Sequence, residues 1–106
     1  MVRVLLNAPK QVRLGQVFDI KLLISHPMEP GQRRDAMGQK IPRDIINTLR
    51  CTFNDRLVMQ ADLFPAIAAN PYFAFTAQVA ESGILAVEFT DDHGVTQREQ
   101  MRIEVL

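Results

Sequence analysis

The stretch Val17-Phe-Asp-Ile-Lys-Leu-Leu-Ile-Ser-His26 decides the fold class of this chain. Its apolar and polar residues alternate, and the apolar set that would face a core is Phe18, Ile20, Leu22 and Ile24. A period of two residues, bounded by Gly15 and Pro27, is typical of a strand with one buried face. The stretch therefore predicts a half-buried β-strand.

The same alternation recurs along the rest of the chain. Turn signals separate the alternating segments at intervals of roughly 8–12 residues, as in β-sandwich domains. The further predicted strands are residues 2–6, 49–53, 57–63, 73–79, 85–89 and 95–106. In the segment 57–63, the residues predicted to share the core face are Leu57, Met59, Ala61 and Leu63.

No segment shows a sustained helical spacing of apolar residues with capping signals, so no substantial helix is expected. Strands with one apolar face each must cover that face, and two stacked sheets do so. The prediction is an all-β fold, an immunoglobulin-like antiparallel sandwich of about seven strands. A closed small barrel is the competing architecture. A chain of 106 residues is expected to form one domain over residues 1–106.

Composition and charge exclude several functional classes. Twelve basic and twelve acidic residues cancel, and no basic tract is present, so neither nucleic acid nor an anionic membrane is an expected partner. No apolar run approaches the roughly 20 residues that span a bilayer. The N-terminus lacks a basic region followed by a sustained apolar stretch, which predicts no signal peptide.

The sequence offers little catalytic chemistry. Cys51 falls on the apolar face of its strand, where a thiol is an inert small hydrophobe. His26 and His93 lie far apart in sequence without a metal-ligand motif. Asp91 and Asp92 are neighbours in a turn, where adjacent side chains normally face apart. We therefore expect no catalytic residue, no cofactor and no metal site. A small metal-dependent or redox enzyme that uses the two histidines and Cys51 is the alternative.

Residues 27–42 break the alternation. Three prolines and two glycines keep this segment out of a sheet interior, and loops of this length are usually functional or disordered. Its charges, among them Arg33, Arg34 and Asp35, suggest a pinned surface feature, and residues 35–38 could close a short hairpin. A solvated connection without a partner is an equally weighted interpretation.

The same segment carries a family resemblance. The chain resembles the SoxZ family in order and spacing over essentially its whole length. The specific block is Ile24-Ser-His-Pro-Met-Glu-Pro-Gly-Gln-Arg-Arg-Asp35, then Gly38, Ile41-Pro-Arg-Asp-Ile-Ile-Asn47 and Cys51-Thr-Phe-Asn54. Weaker supporting motifs are Ala69-Asn-Pro-Tyr-Phe73, Glu81-Ser-Gly83 and Thr90-Asp-Asp-His-Gly94. One departure is Val87-Glu-Phe89, where family members often have Phe-x-Trp.

The resemblance implies a non-catalytic subunit that pairs with a SoxY-like protein. In that system the cysteine of a Gly-Gly-Cys-Gly-Gly arm on SoxY carries sulfur intermediates of thiosulfate oxidation to client Sox enzymes. Residues 99–106 of this chain contain neither cysteine nor glycine, so we expect that this chain is not the covalent carrier. The resemblance also implies a periplasmic location, reached by export with the partner. A SoxYZ-like carrier that serves another periplasmic dehydrogenase system stays open.

The partner-binding surface is predicted from exposed charge and from apolar residues on the polar sides of strands. An apolar interface centre with a polar rim is the expected arrangement. The candidate contact residues are Met28, Arg33, Arg34, Asp35, Arg43, Leu23, Val58 and Ile84. The same apolar surface would favour a homodimer when the partner is absent.

Overall fold

The computed structural model describes residues 3–106, and those residues form eight strands and no helix. The strands are β1 (Val4–Asn7), β2 (Gln11–Val12), β3 (Val17–Ile24), β4 (Ile46–Phe53), β5 (Arg56–Asp62), β6 (Tyr72–Gln78), β7 (Gly83–Asp91) and β8 (Thr96–Val105). The described residues contain no membrane-spanning helix. The all-β prediction is confirmed. Val2, part of the first predicted strand, lies outside the described residues.

The strands form two sheets. One has the order β1-β3-β6, and the other has the order β2-β8-β7-β4-β5. All neighbouring strands are antiparallel except β2 and β8, which are parallel. The two sheets form the predicted sandwich rather than a closed barrel. The prediction missed β2, because two residues are too few to show an alternation.

The core lies between the sheets and follows the predicted alternation. In β3, four alternate side chains are buried, and Ile20, Leu22 and Ile24 are fully so. Leu49 and Cys51 of β4 and Val87 of β7 face them from the other sheet. Burying each aliphatic side chain of this size contributes about 1.5–3 kcal/mol, so these residues dominate the stability of the sandwich.

The predicted phase of β5 is wrong at its first residues. Cys51 pairs with Met59, but the next residue of β4, Thr52, pairs with Leu57, so Val58 is an extra residue in the ladder. Such a β-bulge shifts the side chains before it to the opposite face. Leu57 is consequently 54% exposed, whereas Val58 packs against the core.

One end of the sandwich gathers the long connections. β3, β5 and β7 end there, and β4, β6 and β8 begin there. We call residues 25–45, 63–71 and 92–95 the loop end. The opposite end has tight turns, among them the β4–β5 hairpin, where Asn54 and Asp55 both have positive φ, as a two-residue type I′ turn requires.

The irregular segment 27–42, together with residues 43–44, forms a projecting arm of two paired backbone segments, which we call the arm. Glu29 and Asp44 exchange two backbone hydrogen bonds at its base, and Arg33 pairs with Ile41 farther out. The chain reverses at residues 35–38, where the Gly38 N–H donates to the Asp35 carbonyl, so the predicted short hairpin is confirmed. The molecule is 59 Å long, whereas strands of eight to ten residues span only about 27–34 Å. The arm adds to that length.

Candidate functional site

Two histidines meet at one carboxylate at the loop end. His26 Nε2 lies 3.8 Å from Asp44 Oδ1, and His93 Nε2 lies 3.5 Å from the same oxygen. His26 follows β3, Asp44 lies at the base of the arm, and His93 lies in the β7–β8 turn. The topology therefore joins residues that the sequence separates by up to 67 positions, 93 minus 26.

Hydrogen bonds fix the orientation of His26. The Asn70 N–H donates to the His26 carbonyl at 2.8 Å, and Asn70 Oδ1 accepts from the His26 N–H at 3.1 Å. His26 Nδ1 accepts a hydrogen bond from the Met28 N–H at 2.9 Å. Because Nδ1 is an acceptor, the neutral ring carries its proton on Nε2, the atom that faces Asp44.

That tautomer decides whether the cluster suits a metal ion. His26, Asp44 and Asp91 offer ligand atoms within 4.8 Å of one another, and Asp44 Oδ1 is buried without a hydrogen-bond partner. A histidine that ligates through Nε2 normally donates its Nδ1–H to an acceptor. Here Nδ1 faces a donor, so coordination would cost the Met28 hydrogen bond. The arrangement therefore fits a metal ion poorly.

A second carboxylate clamps the arm to the β7–β8 turn. Asp92 accepts two hydrogen bonds from Arg43, at 2.8 Å each, and further bonds from the Ile45 N–H and Asn47 Nδ2. The Arg43 side chain holds the pKa of Asp92 below its usual range, and the Asn47 and Ile45 bonds lower it further. Asp91 instead accepts the N–H groups of His93 and Val95. The two aspartates face apart, as the sequence predicts.

The charged candidates on the arm are held by local partners. Arg33 Nε lies 3.0 Å from Glu29 Oε2, which raises the pKa of Arg33 and lowers that of Glu29. Arg34 donates to the Gly38 carbonyl at 2.9 Å. Asp35 Oδ1 accepts two backbone N–H groups of the arm turn. All three candidates remain exposed.

Met28 is not a surface residue, which corrects its place among the candidate contacts. Its side chain is only 3% exposed and belongs to the core. Its sulfur accepts a hydrogen bond from the Ile46 N–H at 3.3 Å, and its φ is +50°. Met28 therefore anchors the arm to the sandwich. The absence of alternation around it hid this role in the sequence.

The three apolar candidates do not share a face. Leu23 lies on the outer face of the three-stranded sheet, whereas Val58 and Ile84 belong to the five-stranded sheet and are half-buried. The strand register aligns Leu23 with Leu5 on one side and Tyr72 on the other. The exposed fractions are 37% for Leu23, 65% for Leu5 and 58% for Tyr72. We call these three residues the apolar row. Leu5 and Tyr72 were missed because only the register reveals their alignment.

Cys51 cannot serve as an accessible nucleophile. Its side chain is fully buried in the middle of β4, and burial raises its pKa to about 11. A thiol in this state is unreactive at neutral pH. The predicted buried role is confirmed, and Cys51 is not among the residues that cluster at the loop end.

Comparisons of structure show the fold. Superoxide reductase (neelaredoxin) from Ignicoccus hospitalis matches with a TM-score of 0.76 at 19% identity, covering 97% of this chain and 80% of that one. The sulfur carrier protein SoxY from Chlorobium limicola f thiosulfatophilum matches with a TM-score of 0.68 at 14% identity, covering 96% and 74%. A search of curated proteins finds no significant sequence match.

Comparison with protein families gives a more specific result. The family model described as sulphur oxidation protein SoxZ matches residues 6–102. This range contains all eight candidate contact residues, the arm and the loop-end cluster. The chain therefore belongs to the SoxZ family of sulphur oxidation proteins.

Proposed function

We propose that this chain is the non-covalent scaffold subunit of a sulfur-carrier complex and binds a SoxY-like carrier protein. The observation that carries the proposal is the SoxZ family match over residues 6–102. The structural likeness to SoxY adds support, because two chains of one fold can build a heterodimer from similar sheets. The client enzymes of the carrier would act on sulfur intermediates bound to the partner.

The burial of the only cysteine supports assigning the covalent carrier role to the partner. A carrier cysteine must be exposed, ionisable and flexibly tethered, which is why glycine suits its neighbours. Cys51 is buried in a strand, and its pKa is raised. The final strand, Thr96–Val105, contains no cysteine. The covalent sulfur chemistry is therefore assigned to the partner.

Two surfaces are assigned to protein contacts. The apolar row forms an exposed apolar strip across the end of the three-stranded sheet where β6 begins. The next pair on the same face, Asn7 and Lys21, is exposed and provides a polar border on one side. The arm projects Arg34 and Lys40 into solvent, where they suit contacts with client enzymes. We assign the complex to the periplasm, with this chain exported together with its partner.

A pull-down tests the proposal. The chain is mixed with a SoxY-like protein from the same gene neighbourhood, and complex formation is measured by affinity capture and by isothermal titration. A stable complex is expected, and Tyr72→Glu, which puts a charge on the apolar row, should weaken it at least tenfold. Leu14→Glu is the matched control, since Leu14 is also an exposed apolar residue but lies outside the row. Failure of the wild-type chain to bind would contradict the proposal.

A further inference from the structure

The outer edge of β6 is an open sheet edge with unusual composition. β6 is the last strand of its sheet, and within residues 3–106 no strand lies beside its outer edge. The sequence contains no charged residue between Asp62 and Glu81, a range that includes all of β6. Natural proteins protect such edges with charges, prolines, bulges or short length, because an open edge invites another strand.

The other sheet edges are protected. β1 has four residues and β2 has two. β5 has charged residues at both ends, Arg56 and Asp62, and the bulge at Val58 interrupts it. β6 has seven residues, and its register with β3 is continuous from Val17–Gln78 to Leu23–Tyr72. β6 is thus the one long, regular and uncharged edge in the described part of the chain.

The backbone groups that face this edge follow from the pairing with β3. The Ile24 N–H donates to the Pro71 carbonyl, so Pro71 faces β3. In an antiparallel ladder, alternate residues bond to the same neighbour. Phe73, Phe75 and Ala77 therefore bond to β3, whereas Tyr72, Ala74 and Thr76 direct their N–H and C=O groups to the open edge.

Side chains along the edge are also incompletely covered. Phe73 and Phe75 point toward the core but are only half-buried, in contrast to the fully buried residues of β3. Near the far end of β6, a groove of about 450 Å³ is lined by both apolar and charged side chains, among them Leu57, Val79, Arg56 and Glu81. A stable interface buries about 800 Å² per partner, more than one strand pairing supplies. The groove, of mixed polarity, and Tyr72 extend the edge into a larger exposed surface.

We propose that the open edge of β6 receives an extended, uncharged strand of the SoxY-like partner, which continues the three-stranded sheet across the heterodimer. This inference rests on the proposed function and names its binding mode. The solved SoxY has the same sandwich fold, so a protein of that kind has sheet edges of its own to offer. Main-chain hydrogen bonds would supply affinity, as in other cases of strand addition, and the added strand would lie beside Tyr72.

Two substitutions at the edge test the binding mode. Ala74→Pro removes an N–H that faces the open edge and leaves the β3 ladder intact, since proline is tolerated on edge strands. Thr76→Lys places a charge on the edge strand, as natural protected edges do. Each should weaken partner binding roughly tenfold or more without loss of the folded circular dichroism spectrum. Gln60→Lys, an equivalent change on the open edge of β5, is the control and should leave affinity unchanged.

Amide hydrogen exchange gives a readout that does not depend on the variants. In the isolated chain, Ala74 and Thr76 should exchange at least tenfold faster than Phe75, and complex formation should slow them by at least tenfold. A complex that leaves these two amides fast, or edge variants that bind like wild type, would overturn strand addition while the proposed function stands. If protection of these two amides in the isolated chain rises with protein concentration, a second copy of the chain occupies the edge. That result would also overturn strand addition by the partner. Absence of any complex would remove both proposals.

Discussion

Asp92 joins the β7–β8 turn to the arm and to the start of β4 through one carboxylate. It binds Arg43 of the arm, the Ile45 N–H before β4 and the Asn47 side chain. Its side chain is 13% exposed, whereas that of Arg43 is 46% exposed. A bidentate pair in this setting is better ordered than an ordinary surface pair, because its two hydrogen bonds fix the orientation of the guanidinium relative to the carboxylate.

Breaking this clamp should destabilise the chain measurably. Arg43→Ala is expected to cost about 1 kcal/mol, which lowers the melting temperature by about 4–8 °C in a domain of this size. The control is Arg98→Ala, which removes an exposed pair with Glu88 and should change the melting temperature little. Equal melting temperatures for the Arg43 variant and wild type would show that the clamp contributes nothing.

The clamp also makes stability depend on pH. The folded-state pKa of Asp92 lies below its unfolded value of about 3.9, so its contribution is complete above that pH and is lost as the pH falls through the folded value. Asp92→Asn removes this contribution. The difference in melting temperature between wild type and the variant should therefore be largest at neutral pH and should shrink below about pH 4. A constant difference across this range would contradict the assignment.

At the scale of the strands, the sequence predicts a feature correctly when that feature depends on one strand alone and not on its pairing with another. The faces of β3 were predictable because its alternation is uninterrupted. The exposure of Leu57 was not, since the bulge at Val58 appears only when β5 is paired with β4. The approach of His26 and His93 to the same Asp44 oxygen was equally hidden, because it follows from the shared end of β3 and β7. Long-range pairing leaves no periodic trace in a single sequence.

The attachment of the arm is the element-scale feature that can be tested most cleanly. Met28→Ala removes a buried side chain from the core at the arm base and should cost about 2–5 kcal/mol of unfolding free energy. Met37→Ala is the matched control, because Met37 at the arm tip is 84% exposed. Urea unfolding of both variants measures the difference. A Met28 variant as stable as the Met37 variant would mean that Met28 does not anchor the arm.

At the scale of the whole molecule, the loop end, the three-stranded sheet and the core each hold different features. The loop end fixes the arm by hydrogen bonds and one ion-pair clamp. The three-stranded sheet presents the apolar row and the uncharged β6 edge. The core encloses the sole cysteine. This distribution suits a rigid subunit that positions a partner and leaves the covalent chemistry to it.

Thiol labelling compares the reactivity of Cys51 in the folded and unfolded chain. With burial and a pKa of about 11, the native thiol should react with iodoacetamide at least a hundredfold more slowly than the thiol unfolded in urea. The rate of alkylation at pH 7.5 is followed by intact-mass spectrometry. Native labelling as fast as that of the unfolded chain would indicate that the cysteine is accessible after all.

The location of the sulfur adduct tests the central claim most directly. A complex of this chain with its SoxY-like partner is supplied with thiosulfate, the client enzymes and an electron acceptor, because joining thiosulfate to a thiol releases two electrons. Both chains are then weighed by denaturing intact-mass spectrometry. We predict that the partner gains a sulfur-containing mass on its arm cysteine, while this chain keeps its unmodified mass. An adduct on Cys51, or loading of the partner that proceeds equally well without this chain, would contradict the account.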